Sequence, residues 1–306
     1  MPKVPMPRYD FARNDPYDRV ARIELVLPPL IPSREYMQSI RAFEVPAGGL
    51  AIWFMGQNGF ILKASVGPLI GIDLYLTNSC AELFAHLPFR LDRQLPIFIE
   101  PEDLDIDVFF TTHSHDDHAD PETIRRFISK KRAQFIGPWE SVEKYKRCGV
   151  PDSCCLTLHP NQTIQLDGPT ELTGAFALPT DNTDLNHTGV LIRFANGITF
   201  YNTGDTGYCE LLSSLLPRGV DLCAICINGG FHNLDPLQAA RIVKTIDPAV
   251  AIPCHYDMMI NNIGHPDMLR AALHVVGSKT EVQVLDYYRP WVFQKEARCL
   301  PDGTPR

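Results

Sequence analysis

The sequence lacks a long run of basic residues. Its densest positive cluster is Lys130-Lys131-Arg132, and 36 acidic against 28 basic residues give a formal charge of -8. Because proteins bind nucleic acid largely through its phosphate charges, we expect no nucleic-acid partner. A small anion is still a possible substrate, because a few arginines and a metal can form a local positive pocket in an acidic protein.

Long apolar runs are also missing. The first 33 residues carry charges throughout, and their most apolar stretch, residues 23–27, ends at Pro28-Pro29. This pattern indicates neither a signal peptide nor a membrane span. No apolar amphipathic segment suggests docking at a bilayer. We therefore expect a cytoplasmic protein without a membrane partner.

Repeated C-x-x-C pairs are absent as well. The nine cysteines are an odd number, and Cys223 and Cys226 lie in an apolar stretch that is typical of a buried strand. We expect reduced, mostly buried thiols without a redox role. The 306 residues, of which 45% are hydrophobic, are typical of a globular protein. We predict an N-terminal arm at residues 1–45, with a short helix over residues 34–41, and one domain at residues 46–306.

The first half of this domain begins with antiparallel strands. Apolar residues from Leu50 lead to a turn at residues 56–59, and a second apolar run follows. Residues 78–102 carry few strand signals and predict an insertion near the functional site. A strand over residues 105–112 then leads into a histidine-rich loop, and Asp120-Pro121 predicts that a helix begins directly after that loop.

The second half repeats this organisation. Ala195-Asn-Gly197 predicts the turn of a hairpin, and residues 222–227 form a predicted strand. Asp235-Pro236 predicts the start of a helix, and a strand over residues 250–253 ends near His255. Two similar halves of strands and helices predict an α/β protein with a two-layered αββα sandwich.

The histidine-rich loop contains the motif His113-x-His115-x-Asp117-His118. Imidazole and carboxylate are ligands that suit Zn, Mn or Fe. His113 and His115 alternate at a strand end and can face one metal, whereas the tighter turn after them can direct Asp117 and His118 toward a second. A solvated polar loop is the alternative, but four such residues directly after an apolar strand form a specific pattern.

This motif resembles the hallmark of the metallo-β-lactamase superfamily, and other segments are similar to the superfamily in the same order. The segment Thr203-Gly-Asp205-Thr-Gly207 resembles the one whose carboxylate bridges two metals, and His255 resembles the last histidine ligand. His187 lies where the superfamily commonly has its remaining histidine, although it could also be a plain hairpin residue, which would favour a one-metal site. The ligand sets that the resemblance implies are His113, His115 and His187 for one metal, Asp117, His118 and His255 for the other, and Asp205 for both.

A narrower resemblance is to the L-ascorbate-6-phosphate lactonase-like hydrolases. It implies a lactonase that acts on a small anionic substrate, namely a phosphorylated sugar lactone such as L-ascorbate 6-phosphate, with one or two Mn or Zn ions, or with Fe. Asp117 and Asp205 are then the candidate catalytic residues. Arg90 and Arg93 are candidates to hold the phosphate, and His232 is a candidate to line the substrate pocket. The segments that carry this resemblance are residues 51–63, 106–113, 135–138, 148–151 and 252–257.

Two other functions stay open. Residues 200–209 also resemble the phospholipase D that hydrolyses N-acylphosphatidylethanolamine, and one metal centre can serve a phosphodiesterase or a lactonase. A protein of this fold can also bind metal without catalysis, because fold alone does not prove function. For any of these functions we expect a homo-oligomer.

Overall fold

The computed structural model describes residues 27–130, 132–262 and 264–295, so the first 26 residues of the predicted arm lie outside the described residues. Two seven-stranded mixed sheets form the centre of the protein. The first sheet has the order β14-β1-β2-β3-β4-β5-β6, with strands β1 Gly49–Gly56, β2 Gly59–Ala64, β3 Ile70–Ile72, β4 Val108–Phe110, β5 Gln134–Gly137, β6 Cys155–Thr157 and β14 Pro290–Gln294. The second has the order β13-β12-β11-β10-β9-β8-β7, with strands β7 Thr163–Gln165, β8 Glu171–Phe176, β9 Thr188–Arg193, β10 Thr199–Asn202, β11 Leu222–Cys226, β12 Val250–Cys254 and β13 Glu281–Val282.

Helices cover the outer faces of the sheets. α4 lies on β5 and β6, whereas α5 lies on β11 and packs against α6. The helices are α1 Ser33–Ala42, α2 Ser79–Leu83, α3 Pro121–Arg126, α4 Trp139–Arg147, α5 Pro236–Ile246 and α6 Pro266–Val276. Within the described part of the chain, no helix is long and apolar enough to cross a membrane.

Aromatic side chains join the layers of this sandwich. Phe60 on β2 meets Phe200 on β10 with ring centroids 5.8 Å apart, and this contact connects the two sheets. Every residue of β1 and β11 is buried, as expected for central strands that are covered on both faces. The predicted αββα sandwich is therefore confirmed.

Parallel strands bring the functional segments to one edge. β3, β4, β5 and β6 run parallel in the first sheet, as do β10, β11, β12 and β13 in the second. The loops after β4, β10 and β12 therefore meet at the carboxyl ends of these strands. Open α/β sheets commonly bind ligands at such an edge.

The helix predicted in the N-terminal arm is present as α1 and belongs to the domain core. Its residues Tyr36, Met37 and Ile40 are buried. Lys63 on β2 donates hydrogen bonds to carbonyl oxygens in the last turn of α1 and just after it, including that of Phe43 at 2.9 Å. Such a cation satisfies the unpaired carbonyls of a helix end. The described residues of the predicted arm therefore pack against the residues that follow position 45.

Truncation of Ile40 tests whether α1 contributes to the stability of the domain. Ile40 has no exposed surface, so Ile40→Ala should lower the free energy of unfolding by about 2–5 kcal/mol through lost burial and a residual cavity. Gln38→Ala in the same helix is a matched exposed control and should change it by less than about 0.5 kcal/mol. Urea denaturation of both variants measures the difference, and equal stabilities would show that α1 is not part of the core.

Candidate metal centre

The histidine-rich loop is held rigidly between β4 and α3. Asp120 caps α3, as predicted, by accepting a hydrogen bond from the backbone of Glu122, and Pro121 occupies the first turn. The loop backbone is also fixed, because Ser114 donates to the buried carboxylate of Asp184 at 2.7 Å. Lys144 on α4 donates to the carbonyl oxygen of Ser114 from the other side at 2.7 Å.

The first group of potential ligands contains His113, His115 and His187, whose donor atoms all lie within 4.8 Å of one another. The ring centroids of His113 and His187 are 4.0 Å apart. His115 comes from the same loop as His113, whereas His187 immediately precedes β9 in the other sheet. The structure thus brings together three histidines that are far apart in the sequence.

Hydrogen bonds determine which ring nitrogen of these histidines is free. Thr112 Oγ1 donates to Asp73 and therefore accepts from His113 Nδ1, at 3.1 Å, which leaves His113 Nε2 unprotonated. His187 Nδ1 donates to the carbonyl oxygen of Asp205 at 3.0 Å, which leaves Nε2 free in the same way. His115 Nε2 lies 3.0 Å from Thr183 Oγ1, so Nδ1 is its nitrogen left for a ligand bond.

The second group contains Asp117, His118 and His255, again with donor atoms within 4.8 Å of one another. His118 Nδ1 donates to Asp73 Oδ2 at 2.7 Å, and its Nε2 faces His255 Nε2 at 3.3 Å. Asp205 joins this group to the first, because its carboxylate clusters with both His113 and His118. The arrangement therefore offers two adjacent cation positions with one carboxylate between them.

Four buried side-chain atoms of the potential ligands form no hydrogen bond: His113 Nε2, His187 Nε2, Asp205 Oδ1 and His255 Nδ1. Asp205 Oδ1 lies 3.1 Å from His255 Nε2, but the geometry is not that of a hydrogen bond. Buried polar atoms without partners are rare in folded proteins. Imidazole nitrogens and a carboxylate oxygen that converge in this way fit a divalent cation such as Zn, Mn or Fe.

Burial and charge act in opposite directions on the pKa values of the centre. Burial lowers the pKa of His113 well below its usual value, and burial also lowers that of His187, so both rings are in the neutral form that binds metals. Burial lowers the pKa of His255 too, but Asp205 and Asp117 outweigh it and raise the pKa to about 9. A cation that bound to His255 would therefore have to displace a proton at neutral pH.

The carboxylates respond in the complementary way. Burial raises the pKa of Asp117 and of Asp205, but His118 and His255 outweigh burial and hold both pKa values below the usual range. Both side chains are therefore ionised at neutral pH. An ionised carboxylate accepts hydrogen bonds and binds cations, but it cannot donate a proton.

Residues that the sequence did not indicate hold these ligands in place. Asp73, at the end of β3, accepts from His118, from Thr112 and, at 2.6 Å, from Asn58 Nδ2. Gln57 Nε2 donates to Asp117 Oδ2 at 2.6 Å. For Asp73 the available signal was a carboxylate directly after an apolar strand, whereas residues 56–59 indicated only a turn.

A cavity of about 560 Å³ opens on this centre, and Asp117, Asp205 and His255 line its floor. Residues of the predicted insertion reach the cavity, so its expected position near the site is confirmed. The cavity also has an apolar wall, formed by Phe84, Leu87, Phe89, Leu91, Phe231 and Met259.

The predicted substrate-binding residues lie elsewhere. Arg90 is exposed and forms a two-bond ion pair with Asp92, at 2.7 Å for each bond, instead of facing the cavity. The guanidinium of Arg93 is directed inward, where it donates to backbone carbonyls including that of Leu95 at 2.7 Å. His232 is exposed and does not line the cavity, although its neighbours Phe231 and Asn233 do.

A family model described as the β-lactamase superfamily domain matches residues 75–256, which is more than half of the chain. The chain belongs to the metallo-β-lactamase superfamily. The matched residues include the histidine-rich loop, His187, Asp205 and His255. The superfamily that the motif predicted is therefore confirmed, whereas the narrower lactonase branch stays a prediction.

Relatives within the superfamily cover most of the described domain. A UPF0173 metal-dependent hydrolase of Roseiflexus sp. is 30% identical over 59% of this chain and 75% of its own length. Another, from Anaeromyxobacter dehalogenans, is 28% identical over 79% of this chain and 86% of its own. The solved structure of Igni18, a metallo hydrolase from Ignicoccus hospitalis, covers 81% of this chain and 100% of its own, with a TM-score of 0.60 and 20% identity, and shows the shared fold.

Substitution of Asp73 tests whether this carboxylate positions a metal ligand. Asp73→Asn should weaken the affinity for Zn or Mn by roughly 10–100-fold, because the amide replaces one acceptor oxygen with a donor and removes the charge that orients the ring of His118. Competition with a chelating dye measures the affinity.

Asp221→Asn is the matched control for this substitution. Asp221 is also buried and accepts from Thr199, but it lies at the opposite end of the strands. Its substitution should cost stability without changing metal affinity. Equal losses of metal affinity in both variants would contradict a specific role for Asp73.

Proposed function

We propose that the chain is a metal-dependent hydrolase that opens a lactone or a related carboxylic ester. The observation that carries this proposal is the convergence of buried ligand atoms that form no hydrogen bond, namely His113 Nε2, His187 Nε2 and Asp205 Oδ1, next to an open cavity that His115 and Asp205 line. A purely structural cluster would pair such atoms with hydrogen bonds. A divalent cation bound there supplies a Lewis acid and a more acidic water, which are the requirements of hydrolysis.

The donors divide between two cations in this proposal. On one side are three histidines, and in each the ring nitrogen that is not a proposed ligand is held by a neighbouring oxygen atom. The carboxylate of Asp205 joins the two sides. The proposed ligands are His113, His115 and His187 for the first cation, Asp117, His118 and His255 for the second, and Asp205 for both.

Asp117 is the proposed residue that orients the attacking water. Gln57 holds its carboxylate in one orientation at the cavity floor through the hydrogen bond to Oδ2. Because this carboxylate only accepts, a water next to it directs a proton toward Asp117 and a lone pair toward the substrate. Asp205, which Asn233 fixes with a hydrogen bond of 2.6 Å, is the second candidate catalytic residue.

Away from the ligands of the centre, the side chains of the cavity favour an uncharged substrate group over a phosphate. Asp116 and Asp181 line the cavity in addition to the two carboxylates of the centre, and Lys144 neutralises only Asp116, from outside the cavity. Among the described residues, no lysine or arginine lines it. A phosphate group that lay away from the cations would meet the carboxylates of Asp116 and Asp181 and no basic side chain of the lining, which disfavours its binding there. The same argument disfavours the phosphorylated sugar lactone that the sequence suggested.

Removal of His187 tests the first ligand set. His187→Ala should bind about one metal equivalent fewer, or bind it at least roughly tenfold more weakly, because a donor from the second sheet is lost. His274→Ala, an exposed histidine on α6, is the matched control and should retain full occupancy. Elemental analysis after dialysis measures the metal content. Unchanged occupancy in His187→Ala would exclude this residue as a ligand.

Turnover of a substrate panel tests the reaction class. Neutral lactones and carboxylic esters should give a higher kcat/KM than phosphodiesters, phospholipid vesicles or sugar-lactone phosphates, with Mn, Zn or Fe added in turn. Asp205→Asn should abolish most of this activity because it disrupts the carboxylate shared by both ligand sets. A clear preference for phosphodiesters would exclude the lactonase proposal. Metal binding without any turnover would favour a protein that has lost catalysis.

A further inference from the structure

We infer that the cavity selects substrates that carry an uncharged apolar group, and that this group lies between the 84–91 segment and Phe231. The inference deepens the proposed function and depends on it for the reaction, but the binding site itself stands on separate observations. The cavity is lined both by metal-binding side chains, which cluster with one another, and by apolar side chains, of which Phe89 and Phe231 are in contact. A bound molecule would therefore place its reacting carbonyl at the centre and its apolar part against this wall.

The apolar wall is incompletely covered by the protein. Phe84, Leu87, Phe89 and Leu91 are only partly buried, and Phe231 is 52% exposed. The first four side chains come from a segment without a regular helix or strand beyond residue 83, yet they line the same cavity as Phe231. An apolar ligand that covered them would gain the free energy of removing this surface from water. Exposed apolar surface that is concentrated in one concave site is typical of a ligand-binding pocket.

Two aromatic rings meet at this wall. Phe89 and Phe231 have ring centroids 5.9 Å apart, although they belong to segments that are distant in the sequence. Phe231 and His232 both adopt a left-handed backbone conformation, with φ of 53° and 63°. Two consecutive non-glycine residues in this region cost conformational energy, and such strain concentrates at functional sites.

Asn233 connects the position of Phe231 to the metal centre. Its side chain donates to Asp205 Oδ2 at 2.6 Å and accepts from the backbone of Thr206 at 2.9 Å. The backbone of Asn233 also donates to the carbonyl oxygen of Gly230, which closes the turn around Phe231. The backbone turn that carries Phe231 is therefore tied to the carboxylate between the two cation positions.

A series of γ-lactones with increasing alkyl chains tests this inference on the metal-loaded protein. KM should fall by roughly fourfold for each added methylene until the cavity is filled. Phe89→Ala and Phe231→Ala should raise KM for the long-chain lactones at least tenfold more than they raise KM for the shortest lactone. Trp139→Ala removes a comparably exposed aromatic side chain outside the cavity and should leave the dependence on chain length unchanged.

Binding of alkyl γ-lactams, whose rings are unstrained amides, separates this inference from the proposed reaction. These uncharged analogues resist hydrolysis, so calorimetry measures affinity without turnover. Binding that becomes tighter with chain length, and that loses this dependence in Phe231→Ala but keeps it in Trp139→Ala, supports the apolar site. If no lactone is hydrolysed, the proposed reaction is overturned but the apolar site is not. Affinity that is independent of chain length, or stronger for analogues with a terminal carboxylate, would overturn the inference even if lactones are hydrolysed.

Discussion

The metal centre depends on one buried carboxyl group, that of Asp73. It has no exposed surface, and its oxygens accept hydrogen bonds from Asn58, Thr112 and His118. These donors belong to the turn between β1 and β2, the end of β4 and the histidine-rich loop. A buried carboxyl group is costly unless its hydrogen bonds are satisfied, so the three segments are constrained to meet around it. The ligands from the second sheet complete the centre that these contacts hold together on the first.

Much of the centre could be predicted because its first ligands are local in sequence. The motif from His113 to His118 directly follows an apolar strand, and that pattern was enough to indicate a metal site. His187, Asp205 and His255 were indicated only through resemblance, because no local pattern distinguishes them from isolated polar residues at strand ends. Asp73 was not predicted either, because its hydrogen-bond partners lie far from it in the sequence.

The fold and the cavity show where sequence patterns become insufficient. Two strands, β14 and β8, were not predicted. The partner of β14 is β1, which lies at the other end of the domain in sequence. β8 contains Gly174, which is unusual inside a strand and is needed here because the backbone of His159 approaches it closely. The arginines were placed at the site because they belong to the segment that was predicted to be an insertion near it. In the 84–93 segment, which lacks regular periodicity, sequence alone cannot tell which side chains face inward. The phenylalanines and leucines face the cavity, while Arg90 and Arg93 form other contacts.

The position of β14 has a consequence for how the protein is made. This strand pairs with one edge of β1, and β2 pairs with the other edge. Nearly the whole domain is translated after β1 and before β14. During synthesis β1 therefore exposes an unpaired edge, and such edges can pair with other chains. Contacts between distant parts of a chain also form slowly. All the proposed metal ligands, up to His255, can therefore be synthesised while the sheet that carries the histidine-rich loop still lacks its edge strand β14.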